Sequence, residues 1–155
     1  MTRLKFAAIF AMVIAGPAHA KDESSKCLSE ANKVAAATGA MIQRITVADE
    51  VIMFHWAASG ITYGCPPNPN LFISWEGISP PPATVNLIVA SSHVLTGASE
   101  TLTRKELTNC IATALKPESG GYADSHEIPM VCNVIVRRGG GGGQVIWGIR
   151  AVNFR

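Results

Sequence analysis

The chain has 155 residues, and its 13 basic and 11 acidic side chains give a formal net charge of +2. So near a balance excludes a polycation, and bulk charge supplies no drive toward nucleic acid or an anionic membrane. The length suffices for one domain with a packed core and falls short of two comfortable ones.

Residues 1–20 read as a secretory signal peptide. Arg3 and Lys5 precede an apolar run from Phe6 to Ala15, and Ala18-His19-Ala20 supplies small residues at a cleavage site. The run is shorter than the roughly 20 residues that span a bilayer. Cleavage after Ala20 is expected to leave residues 21–155 as a single α+β domain, periplasmic or secreted, with no transmembrane segment. It removes Arg3 and Lys5, so 11 basic residues then face 11 acidic ones. All four cysteines, Cys27, Cys65, Cys110 and Cys132, lie beyond the cleavage site. An even number in a small exported domain predicts two disulfides, and the absence of any C-x-x-C spacing argues against a redox motif or zinc knuckle.

The first predicted element is a helix over residues 25–38, where Asp22, Ser24 or Ser25 can cap an alanine-rich run and Gly39 can end it. Its modest apolar face gathers Cys27, Leu28, Ala31, Val34 and Ala35. From Ala40 the period changes. MIQRITV and VIMFHWA are rich in β-branched and aromatic residues and are separated by Asp49-Glu50, which predicts two strands. Apolar residues on both faces of the second predict a central strand, in which His55, beside Trp56, reads as a packed histidine. SGITYGCPPNPN is expected to be a long loop, since Pro66, Pro67 and Pro69 remove ladder donors. LFISWEG then predicts a third strand.

Residues 84–95 carry an apolar pattern compatible with either period. Proline in the first turn, Leu87, Ile88, Ser91, Val94 and Leu95 at helical spacing, and Gly97 after them favour a helix, with a strand over residues 84–90 as the alternative. Thr103-Arg-Lys-Glu106 has the form of a capping box, and Leu107, Cys110, Ile111, Ala114 and Leu115 form an inward stripe behind it. ESGGYADSHE reads as a polar loop. Two alternating apolar runs, IPMVCNVIV and QVIWGIRAVNF, then flank Arg137, Arg138 and five glycines. A phosphate-binding glycine loop opens a helix, whereas Gln144 begins a β-rich run, so Gly139 to Gly143 are expected at the tip of an antiparallel hairpin.

These elements predict an α+β fold: an antiparallel sheet of about five strands with two or three helices on one face, in the order α-β-β-β-(α)-α-β-β. Cys110 on the inward stripe and Cys132 on the same side as Met130, Val134 and Val136 are expected to pair, leaving Cys27 for Cys65.

Candidate chemistry is sparse. Asp124, His126 and Glu127 form the densest polar cluster and could serve a hydrolase as acid and base, or equally be a solvated loop. Ser92 and His93 suggest a serine–histidine pair, but no G-x-S-x-G surrounds the serine. No histidine has metal-ligand spacing, and neither a metal nor another cofactor is expected. Tyr63, Pro66, Pro67, Arg137 and Arg138 are the candidate recognition residues, because they look exposed and tyrosine and arginine are common interface anchors. The expectation is a small exported protein, non-catalytic, that binds an unknown protein or envelope macromolecule and not nucleic acid. A small exported hydrolase and a structural envelope component are the alternatives.

Overall fold

The computed structural model describes residues 18–46, 51–56, 59–65, 69–136 and 143–150. The chain is α+β, with three α-helices and a seven-stranded antiparallel sheet among the described residues. The helices are α1 (Ala18–Thr38), α2 (Pro82–Thr96) and α3 (Glu100–Ala114). The strands are β1 (Met41–Ile45), β2 (Val51–His55), β3 (Gly60–Gly64), β4 (Asn70–Glu76), β5 (Tyr122–Asp124), β6 (Met130–Val136) and β7 (Gly143–Arg150). They lie side by side in the order β1-β2-β3-β4-β7-β6-β5. The C-terminal hairpin therefore joins the N-terminal meander by laying β7 along β4, from Asn70 opposite Arg150 to Glu76 opposite Gln144.

Two of the seven strands fall in segments expected to be loops. In β3 the apolar and β-branched Ile61, Thr62 and Tyr63 lie between two glycines and pair on both sides, with β2 and β4. The prolines that suggested a loop begin only after Cys65. β5 is three residues long and pairs with β6 alone, too short for an alternating pattern to register.

One face of the sheet is covered. Ile52, Phe54, Ile61, Tyr63, Leu71, Ile73, Trp75, Val145, Trp147, Ile149, Met130, Cys132 and Val134 are buried on it, beneath the helices. Trp147 is fully enclosed and donates its indole N–H to Met130 Sδ at 3.3 Å. The alternate residues of the same strands face outward, so Met53 and His55 of β2 are exposed. β2 is interior to the sheet as expected, but only one of its apolar faces is covered, and His55 is not a packed core residue.

Residues 84–95 belong to α2. Pro82 occupies the first turn, where its missing N–H costs no helical bond, and Gly97 ends the helix at φ 75° with its N–H on the His93 carbonyl at 2.9 Å. α3 starts earlier than the expected capping box. Ser99 is its N-cap, accepting from Leu102 N–H at 3.3 Å, while Thr103 lies inside the helix and Glu106 reaches elsewhere. Leu107, Cys110, Ile111 and Ala114 are buried as expected, whereas Leu115 lies past the last helical residue and is exposed. Val136, at the far end of β6, is likewise exposed. α1 begins at Ala18 and so continues through the Ala20–Lys21 bond, but its described buried residues, Cys27, Ala31 and Val34, all lie after it.

Both disulfides join the helical layer to the sheet region, Cys27 to Cys65 and Cys110 to Cys132, with Cα separations of 5.3 and 5.8 Å. They span 38 and 22 residues of chain. Closures of that length stabilise a fold by about 3–4 kcal/mol each in the chain-entropy account. Two such bonds imply an oxidising compartment. Among the described residues, no helix is long and apolar enough to cross a membrane.

β6 and β7 pair antiparallel from Met130 opposite Ile149 to Val136 opposite Gly143, so residues 137–142 connect the strands of a hairpin. Gly143 belongs to β7 and not to the tip. Arg137, Arg138 and Gly139 to Gly142 lie outside the described residues.

Candidate functional site

The polar cluster forms where β5 turns into β6, against α3. Ser125 N–H bonds to the Met130 carbonyl at 2.9 Å, which closes the turn, and Ser125 and Glu127 meet Glu106 and Lys105 of α3. Asp124, His126 and Glu127 line a recess of about 250 Å³ together with Lys105, Glu106 and Asn109 of α3. The carboxylates are already engaged. Asp124 accepts from the Tyr122 hydroxyl at 2.9 Å, and Glu127 binds Lys105 Nζ at 2.6 Å. No hydrogen bond joins His126 to either of them.

The group that organises this turn is Glu106, which sequence reasoning assigned to a helix cap. Its carboxylate is buried and accepts from the Ser125 hydroxyl and from Asn109 Nδ2 at 3.5 Å. These donors, the Ser125 hydroxyl foremost, hold its pKa below the ordinary carboxylate range even though burial opposes that. Lys105 is raised above the ordinary lysine range by its hydrogen bond to Glu127. The arrangement is that of a turn clasped to a helix by a buried carboxylate. An acid–base pair would need the imidazole within reach of a carboxylate. Cys110 also borders the recess, but its sulfur is committed to Cys132.

Ser92 and His93 diverge. Ser92 is fully buried on the inner face of α2, whereas His93 is exposed and its Nδ1 lies 3.2 Å from the Ala98 carbonyl. Tyr63 is also misplaced by the sequence reading. It is completely buried in β3, with no hydrogen-bond partner for its hydroxyl, and burial, aided by the charge of Glu30, raises its pKa well above the ordinary phenol value. It is a core residue and unavailable as a recognition anchor. Pro66 and Pro67 lie outside the described residues, as do Arg137 and Arg138. Among the described residues, no three His, Cys, Asp or Glu side chains gather as a metal site.

A different feature stands out in the helical layer. The connection from β4 to α2 carries Ile78, Ser79 and Pro80 across the outside of α2 and α3, and a groove of about 530 Å³ opens between them. Val85 of α2 and Leu107 and Ile111 of α3 give it an apolar floor, while Thr108, Ala112 and Leu115 form its α3 side. Ile78 and Leu115 stay exposed at its edge. Arg104 is fixed at the rim, with Nε on Glu100 Oε1 at 2.8 Å and Nη2 on Asn86 Oδ1 at 2.9 Å, so it ties α3 to α2 while keeping a cation beside apolar surface.

No protein-family model, curated protein or solved structure matches the chain.

The groove has the size range and mainly apolar lining of small binding sites. Sequence reasoning missed it; the features that could have signalled it are the ISPPP segment between an apolar strand and a helix, and the small residues Thr108 and Ala112 at i, i+4 on α3. Neither is specific to binding, because proline before a helix serves equally as a helix start.

Proposed function

We propose that this is an exported, non-catalytic binding protein, acting in the periplasm or outside the cell, that holds an apolar anchor of another macromolecule in the groove between α2, α3 and the Ile78–Pro80 segment. The observation that carries the reading is the groove itself: apolar floor, open mouth, and one arginine fixed at the rim by two hydrogen bonds. A recognition site of this type gains affinity by burying an apolar group and orientation from a few placed polar ones. The disulfides support an oxidising location, and the N-terminal pattern of charge, apolar run and small residues supports export.

The test fills the groove. Ala112 is exposed on α3, so Ala112→Trp occupies the groove without disturbing the core. Envelope and extracellular fractions passed over immobilised wild type and Ala112→Trp should yield a component that wild type retains and the variant loses. Equal retention by both proteins would remove the groove from the account. Hydrolysis of an ester, peptide or glycoside by wild type, abolished in His126→Ala, would replace binding with catalysis.

A further inference from the structure

The face of the sheet that the described helices leave uncovered has a regular composition that the proposed function leaves unused. Strand register arranges its residues in rows across the sheet. The middle row runs Arg44, Met53, Thr62, Phe72, Gly148, Val131 and Asp124, from β1 at one edge to β5 at the other. Phe72 is its midpoint, because β4 is the fourth of seven strands. Met53 and Phe72 are exposed, at 40% and 38%, with Val131 half-buried between Gly148 and the edge.

The centre of this face is kept low by glycines, and beside it lies a recess of about 350 Å³ lined by Asn70, Phe72, Val131, Gly148, Asp124 and Arg150. Three of the four outward side chains of β4 recline over glycines on the neighbouring strands: a Cβ on Gly60 would meet Ser74 Oγ at 2.9 Å, one on Gly64 would meet Asn70 Oδ1 at 2.7 Å, and one on Gly148 would meet the Phe72 ring at 2.7 Å. The glycines give up side chains so that Asn70, Phe72 and Ser74 can lie down, and a low, partly apolar stripe remains along the central strand.

We infer that this face is a dimer interface between two copies of the chain, related by a two-fold axis that passes Phe72, lies in the plane of the face and is inclined by about 15° to β4. The argument is self-complementarity, which an isologous contact requires and an unrelated partner does not. Rotation about that axis lays the low central stripe on itself, Phe72 against Phe72, with the recess beside it facing the β2 side of the other copy. It brings Met53 of each copy over Val131 of the other, apolar on apolar. It also brings the row's two ends together, so the cation Arg44 of each copy meets the anion Asp124 of the other. In the next row the exposed Met41 of one copy meets the exposed Tyr122 of the other, since these too lie at opposite edges, opposite His55 and Asn133. The alternative axis, perpendicular to the strands, would set Arg44 against Arg44 and Asp124 against Asp124. Aligned sheets cross at about 30°. At three strands from the axis this shifts the end pairs by about 7 Å, given strand spacings near 4.8 Å, a distance an arginine side chain spans. Both helical layers then face outward, which leaves the two grooves open and makes the assembly bivalent.

Sedimentation equilibrium on the disulfide-intact exported protein tests this, with circular dichroism as a fold check on each variant. Wild type should sediment at twice the chain mass, and Phe72→Glu, which places two carboxylates at the axis, should weaken association at least about 100-fold. Arg44→Asp alone and Asp124→Arg alone should each weaken it about tenfold, since each sets like charges together at two symmetric positions. The double variant Arg44→Asp with Asp124→Arg should restore the wild-type dimer, a rescue that a purely structural role for either residue would not produce. Ala112→Trp should leave association unchanged, so failure here is separable from failure of the groove. A wild-type protein that stays monomeric at millimolar concentration, or a double swap no better than its singles, would overturn the inference.

Discussion

The two faces of the sheet are made of the same strands and differ in almost everything else. Inward, the strand positions from Ile52 to Ile149 are apolar and, apart from Val136 at the end of β6, enclosed; the Trp147 indole finds Met130, while the Tyr63 hydroxyl and the Trp75 indole N–H are carried in without a partner. Outward, the strands alternate threonine, serine, asparagine and glycine with a few half-exposed apolar groups, and glycines under Phe72, Asn70 and Ser74 flatten the surface. A period of two lets one strand satisfy both demands at once. The contrast separates stability, which resides on the inner face, from contact, which is available on the outer face and in the groove across the helices.

The largest effect should follow from emptying the inner face. Trp147→Ala removes a fully buried indole and should cost about 3–5 kcal/mol, read from denaturant unfolding. Phe72→Ala, measured at a concentration where the chain is monomeric, should cost less than half of that, because the ring already meets solvent. Equal losses would erase the distinction between the faces.

A smaller effect is expected where the helical layer clasps the β5–β6 turn. Glu106→Ala strips acceptors from Ser125 and Asn109 and should cost about 1–3 kcal/mol. The sign of its pH dependence follows from the depressed carboxyl pKa. Its contribution is fully present above the ordinary carboxylate range and is lost as pH falls through the lower folded value. Stability of Glu106→Gln followed from pH 6 downward should therefore decline less steeply than that of wild type.

The smallest effect tests the oddest inner-face group. Tyr63→Phe deletes a buried hydroxyl that has no partner and should leave stability unchanged or raise it by up to about 1 kcal/mol. It should also soften alkaline unfolding: a phenol whose folded pKa is raised contributes below its unfolded value of about 10 and loses that contribution as pH climbs toward the folded one. A loss of several kcal/mol in Tyr63→Phe would mean that its hydroxyl is bonded after all.

The helices and the disulfide partners were legible because they depend on local spacing. Proline at the start of α2, Gly97 at its end and the stripe from Leu107 to Ala114 are short-range signals, and once α3 faced the sheet the alternation in β6 brought Cys132 to Cys110. The start of α3 was misread because Thr103 and Glu106 satisfy the capping-box spacing, while Ser99 lacks an acidic residue three positions later; only the tertiary contact with Ser125 shows where Glu106 is needed. β3 was hidden by its flanking glycines, whose use is to give room to Ser74 and Asn70 on a neighbouring strand. Tyr63 failed as a surface candidate for the same reason, since a tyrosine beside a proline-rich segment looks exposed until the strand carrying it is paired on both sides. The groove was the least legible, being formed by three segments that meet only after the sheet and helices are assembled.

The central claim is that recognition occurs in the α2–α3 groove and that the Asp124, His126 and Glu127 cluster is a clasped turn. Chemical-shift mapping on ¹⁵N-labelled protein, titrated with the component that wild type retains and Ala112→Trp loses, tests this most directly. The account predicts that the largest backbone shifts fall on Ile78, Val85, Arg104, Thr108 and Ala112, with Ser125 to Glu127 unmoved; shifts concentrated at Asp124 to Glu127, with the groove unchanged, would contradict it.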